Sequence, residues 1–223
     1  MKNFNWKQIG FISALILIGF GLMQIPFTKI IGSDLKFNLF DFYGPIIGGL
    51  IGSTIGVVTV GIMQVINWAW HGFQTDGASL IRLLPMLFSV LYFAKKTRWN
   101  LVIPVIAMIA FWAHPEGRLA WVYPLYWFIP LIAYFFQDKY LLARALGATF
   151  TAHAVGGALW IWVFNMKAGI WLSLMPIVWK ERGLMVLGIC FTYIAFNYLL
   201  SIISKKLHWQ LPFVKLNPKY STK

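Results

Sequence analysis

Charge is scarce in this chain, and acid is scarcer than base. Of its 223 residues 11% are charged, with six Asp or Glu against 19 Lys or Arg. Soluble domains carry about 25% charged residues, so a water-soluble globular protein is excluded. The one cysteine, Cys190, lies in an apolar run; an intrachain disulfide is impossible and redox chemistry is disfavoured. The four histidines, at 71, 114, 153 and 208, include no His-Glu-x-x-His pair and have no partner cysteines, so neither a metal set nor a cofactor site is read. There is no P-loop, no Gly-x-Ser-x-Gly elbow and no kinase-like set. Any energy from ATP must come from a partner. No motif that reads RNA or DNA is present either. The net charge of +13 is therefore read as base concentrated in short loops and tails, marking the cytoplasmic side of a membrane rather than a nucleic-acid surface.

Apolar and aromatic residues are abundant instead, at 60% and 18% of the chain, with a mean hydropathy of +0.72. The apolar segments are 9–27, 38–67, 79–94, 100–113, 119–136, 141–165 and 183–203. They are continuous rather than alternating, which argues against a β-barrel. The expectation is an all-α, polytopic integral membrane helical bundle of six to eight transmembrane helices with short loops, in contact with the lipid bilayer. One transmembrane domain is read over 1–204, followed by a basic, flexible cytoplasmic tail over 205–223. Lys2 and Lys7 before the first apolar run look like the start of a signal peptide. The run is too long and lacks a small-x-small cleavage site, so it is read as a retained span. Stretch 168–179 is short, with Trp171 and Trp179 near its ends, and is read as a re-entrant or interfacial helix rather than a span.

The most patterned stretch is Asp41-Phe-Tyr-Gly-Pro-Ile-Ile-Gly-Gly-Leu-Ile-Gly-Ser-Thr-Ile-Gly56. Gly44, Gly48, Gly52 and Gly56 recur every four residues and form one helical face. In lipid such a stripe lets another backbone approach closely. Asp41 is read as a helix cap in preference to a partner of Lys36. The segment 38–67 can be one long helix, giving seven spans, or two short ones broken near Gly52-Ser53, giving eight. With eight, twelve basic residues face Asp138 alone on the inner side, including Lys2 and Lys223, while the outer side has seven basic and five acidic residues, including Asp34. That bias favours the broken helix with both termini cytoplasmic in the cell membrane.

Three outer connections gather aromatic and polar residues. Trp68, Trp70 and His71 stand in the first, Trp112, His114, Glu116 and Arg118 in the second, and Trp160 and Asn165 lead into the third. Near the inner side there are only Trp6, Trp99 and Trp209. A membrane belt is roughly even on both sides, so the asymmetry reads either as a one-sided belt or as an outward cavity for a small-molecule ligand. His114-Pro-Glu116-Gly-Arg118 reads either as a tight polar turn or as a pocket rim. His153 lies deep in an apolar helix beside Gly157 and Trp160, where an ionisable group faces the bundle interior or a cavity. Arg82, near the outer end of its span, snorkels to the interface or pairs with an anionic ligand or with Glu116.

The glycine stretch from Asp41 to Gly56 resembles the second-to-third helix region of the substrate-binding S components of energy-coupling factor (ECF) vitamin transporters. Leu83-Leu-Pro-Met-Leu-Phe-Ser-Val-Leu-Tyr-Phe-Ala-Lys-Lys96 looks like that family's next helix and its basic cytoplasmic exit. The likeness covers residues 38–98, with a looser echo at 141–165. The family usually has six helices, against seven or eight segments here. Its first helix often carries an Ala-x-x-x-Ala coupling motif, where this chain has Gly10-Phe-Ile-Ser-Ala14. The resemblance implies a binder of a vitamin or similar micronutrient, loaded from outside and driven by partner ATPases through a transmembrane coupling subunit. Three other readings remain open: an intramembrane enzyme using His153, His114 and Glu116 as acid and base, a self-contained ion-coupled carrier or channel, and a scaffold whose glycine stripe holds a partner helix.

Overall fold

The computed structural model describes residues 6–29, 36–206 and 213–222. Lys2, Asp34, His208, Trp209 and Lys223, which enter the readings above, lie outside the described residues. The chain is an all-α bundle. Helix α1 (Trp6–Met23) leads through a small antiparallel ladder, β1 (Pro26–Lys29) with β2 (Lys36–Asn38), into α2 (Phe40–Ile51). There follow α3 (Ser53–Trp70), α4 (Gly77–Arg82), α5 (Pro85–Ala94), α6 (Trp99–Ala113), α7 (Pro115–Leu119), a 3-10 segment at Tyr123–Trp127, and α8 (Phe128–Phe136). The long α9 (Leu141–Phe164) and α10 (Ala168–Lys206) complete the bundle.

Among the described residues five helical segments are long and apolar enough to cross a membrane, with α4 and α5 counted together; α2, α6 and the segment Tyr123–Phe136 are shorter and also apolar. Large apolar side chains face outward on many of them, as with Leu17, Phe135, Leu187 and Phe191, each more than 60% exposed. In water an apolar surface of that extent would drive association; in lipid it is the solvated face. This is a membrane protein.

The stretch 38–67 folds as two helices. Gly52 separates α2 from α3 with φ +88° and ψ 173°, a region open essentially to glycine alone. The chain turns back on itself there, because a Cβ added to Gly56 would lie 2.9 Å from Gly48 Cα. The stripe packs as its spacing requires. Gly44 receives the Met86 thioether, and a Cβ on Gly48 would strike the Val90 carbonyl. Helix α5 thus lies close along α2 and is covered on another side by α9. The core between them is apolar and fully buried, with Ile46, Ile47, Leu50, Val90 and Phe93. The other small pair, Gly10 and Ala14, is exposed on α1, and a Cβ on Gly10 would meet nothing within 4 Å. Among the described residues nothing packs against Gly10.

Two expectations change. Stretch 168–179 is no separate re-entrant helix. It is the first third of α10, which runs on through Pro176 and through Lys180-Glu181-Arg182 for 39 residues. By hydropathy those charges look like a loop. Glu181 and Arg182 instead turn inward, where a buried ionisable group can sit on an unbroken helix. At 1.5 Å per residue α10 is about 58 Å long, so part of it tilts or stands beyond a hydrocarbon core of about 30 Å. Residues 213–222 are not a loose tail either. The Lys215 N–H bonds to Leu50 O at 2.7 Å, taking up one of the carbonyls that the end of α2 leaves open. The Asn217 N–H donates to Asn197 Oδ1 at 2.8 Å, and Phe213 meets Phe11 edge-on.

A candidate ligand cavity at one end of the bundle

A half-enclosed cavity of about 420 Å³ lies at the end of the bundle where α3 passes to α4 and α9 to α10. Its walls come from the start of α2, the end of α3, α4, the middle of α9 and the first third of α10. One wall is aromatic. Tyr123, Trp160 and Trp171 line it, and Tyr123 packs against Trp171 with ring centroids 4.9 Å apart. Phe111 backs both rings, at 5.7 Å from Tyr123 and 5.0 Å from Trp171.

His153 stands in this wall, between two donors. The indole N–H of Trp127 donates to His153 Nδ1 at 3.2 Å, and Tyr123 Oη lies 3.0 Å from Nε2. An indole can only donate, so Nδ1 must be bare. The ring is then the neutral Nε2–H tautomer, donating to the tyrosine oxygen. Gly157, one turn along α9, makes room for this arrangement: a Cβ there would lie 2.7 Å from the Trp127 ring. Trp127 itself is fully buried.

The cavity is also charged. Asp41, Arg82, Glu181 and Arg182 all line the cavity. They gather around the strand β2. Arg82 donates to Lys36 O at 2.8 Å. Asp41 is not the cap of α2: the N-cap is Leu39, without a side-chain cap bond, and Asp41, the second helical residue, accepts from the Asn38 N–H at 2.9 Å. Arg182 lies over the Phe37 ring at 5.0 Å. Its side chain is only 8% exposed, and its nearest carboxylate, Glu181, is 3.6 Å away. One terminal nitrogen donates to Thr149 Oγ1 at 3.3 Å.

Of the residues singled out from sequence, Trp68, His71, Arg82, His153 and Trp160 line this cavity. The others stand elsewhere. Trp70 is exposed and packs edge-on against Phe20. Trp112 donates to Trp121 O at 3.0 Å. His114 is the N-cap of α7, its Nδ1 accepting from the Glu116 N–H at 3.3 Å. Glu116 does not pair with Arg82. It takes the Ala168 N–H at 2.9 Å and Lys167 Nζ at 3.1 Å, clamping α7 to the start of α10. Those two contacts, the backbone N–H first, hold its carboxyl below the usual range. Arg118 is exposed. Asn165 ends α9 in the left-handed conformation, φ 47° and ψ 42°, a common helix stop. The turn reading of His114–Arg118 is thus the one the geometry carries.

The sequence pattern places Glu181 and Arg182 in an outer loop and Trp171 among the outer-face tryptophans, and it does not single out Tyr123; all four line the cavity. Asp41, expected to cap a helix, also lines the cavity. The signal for Arg182 is present: three consecutive ionisable residues, Lys180-Glu181-Arg182, inside an otherwise apolar stretch mark a bundle interior. Fold and site together define an all-α membrane bundle with a polar and aromatic cavity at one end. Comparison with family models, with curated proteins and with solved structures returns no match to this chain.

Proposed function

We propose that this chain is the membrane-embedded, small-molecule-binding subunit of an uptake transporter for a vitamin or similar micronutrient, akin to an ECF S component. The observation that carries the reading is the cavity of about 420 Å³ lined by both charged and aromatic side chains. Ligand sites are typically clefts of ~300–1,000 Å³, largely apolar, with a few polar groups that fix orientation. The excess of base at the opposite end supports an orientation with the cavity mouth outside the cell membrane and both termini in the cytoplasm. The exposed Gly10 and Ala14 on α1 offer a close-packing face to a coupling subunit. ATP hydrolysis falls to partner ATPases, since the chain carries no P-loop.

The enzyme alternative has less support. Both ring nitrogens of His153 are engaged by Trp127 and Tyr123, while His114 and Glu116 serve the α7 turn. A self-contained channel would need a polar path through Ile47, Leu50, Val90 and Phe93, all apolar and fully buried. The test is to purify the chain from native membranes in mild detergent, release bound molecules by heat, and identify them by mass spectrometry. A stoichiometric micronutrient-sized molecule, with ATPases co-isolated from the same membranes, is the expected result. An empty protein without ATPase partners, from cells whose uptake is unchanged by deletion of the gene, would reject the reading.

A further inference from the structure

The charges of the cavity balance. Arg82 and Arg182 stand against Asp41 and Glu181 in its lining, and His153 is the neutral tautomer by its hydrogen bonds. Yet the balance is not made by tight pairing. Asp41 makes no ion pair with either arginine within 4 Å; one oxygen takes the Asn38 N–H. Arg182 has five N–H donors, and among the described residues they make one hydrogen bond, to Thr149, besides the 3.6 Å approach to Glu181. Opposite charges thus line one cavity: Asp41 stands without an arginine within 4 Å, and Arg182, though it approaches Glu181, keeps its buried Nε without a partner. In a site of low dielectric a ligand with net charge would leave that charge uncompensated. A ligand whose own two charges are separated and cancel would be met at both ends. The aromatic wall of Tyr123, Trp160 and Trp171 supplies a flat apolar surface for the body between them.

We infer that the cavity takes a small net-neutral zwitterion with a flat apolar body, its anionic group received by Arg182 and its cationic group by Asp41. This rests on the small-molecule-binding reading above and specifies its ligand class. Arginine is suited to the first role because its planar fork matches a carboxylate or phosphate in two-point contact. A carboxylate at Asp41 suits an ammonium, whose donors it can accept in several directions.

The experiment compares four probes with one body and different charge, added to the full chain in detergent: L-phenylalanine, phenethylamine, 3-phenylpropionate and 2-phenylethanol. Binding is followed by tryptophan fluorescence and by thermal shift. The zwitterion should bind about tenfold or more tightly than any of the other three. Arg182→Met should abolish the advantage of phenylalanine over phenethylamine, and Asp41→Asn its advantage over 3-phenylpropionate. Arg182→Lys, which keeps the buried charge, should weaken the zwitterion less than Arg182→Met does, a graded loss that simple misfolding would not give. Equal or tighter binding of the neutral or singly charged probes would overturn the zwitterion inference and leave small-molecule binding intact. So would a co-purified native ligand of net charge. Failure of all four probes, together with no co-purified molecule, would overturn both.

Discussion

His153 and Glu116 are both ionisable residues that drew functional readings, and their surroundings give them different work. His153 ties Trp127 to Tyr123 across the cavity wall. Its replacement by Phe would leave the buried indole N–H of Trp127 without an acceptor, at a cost of about 1–3 kcal/mol. A lower melting temperature in detergent should follow, while His153→Gln, which still offers an acceptor, should recover part of the loss. Glu116 works at an exposed seam. Its carboxyl is lowered from 4.5 by the Ala168 N–H and by Lys167. A depressed acid stabilises the fold in full above its unfolded value near 4.5, and that contribution is lost as pH falls through the lower folded value. The melting temperatures of the native chain and of Glu116→Gln should therefore differ at pH 7 and converge as the pH falls below 4.5 through the lower folded value. A constant gap across that range would show that the carboxylate's charge is not what holds α7 to α10.

At the scale of elements, the glycines of α2 and α1 look alike in sequence and meet different neighbours. Gly48 lies against the Val90 backbone carbonyl, which cannot swing aside as a side chain would. Gly48→Ala should force α2 and α5 apart and cost about 1–3 kcal/mol, as overpacking does. Gly10→Ala, with open space around it, should be neutral or stabilising by up to about 1 kcal/mol through helix propensity. Denaturant titration of the two variants side by side checks the contrast. Equal effects would mean that the close approach of α2 and α5 is not a tight one. The break at Gly52 belongs to the same scale. Its φ of +88° strains any residue with a Cβ, so Gly52→Ala should destabilise the hairpin by about 1–3 kcal/mol.

At the scale of the whole molecule, the orientation proposed for the bundle places Thr75, in the α3–α4 connection, and Thr97, between α5 and α6, on opposite sides of the membrane. With Cys190 replaced by Ala, Thr75→Cys should react with an impermeant maleimide in intact cells, and Thr97→Cys only after permeabilisation. The reverse pattern would invert the proposed topology, and labelling of both in intact cells would break the alternation of the helices. The opposed ends also differ in construction. The cavity occupies one, while the other is closed by apolar packing and by the segment 213–222 docked on Leu50 and Asn197.

What the sequence determined by itself was the solvent and the class of structure. Few charges, long apolar runs and a four-residue glycine spacing suffice for a lipid-embedded helical bundle, because those signals are local and summed along the chain. The fold-back at Gly52 was legible through loop charge. His153, Arg82, Trp68, His71 and Trp160 were legible as cavity residues, since polar and aromatic groups stand out against apolar surroundings. Tertiary structure alone decided that Lys180-Glu181-Arg182 continues a helix and that Arg182 lines one cavity with Asp41, Arg82 and Tyr123. It also decided that Glu116 spends its charge on the next helix. Those outcomes depend on which faces of distant helices are brought together, and on the burial that makes an inward charge costly unless others answer it.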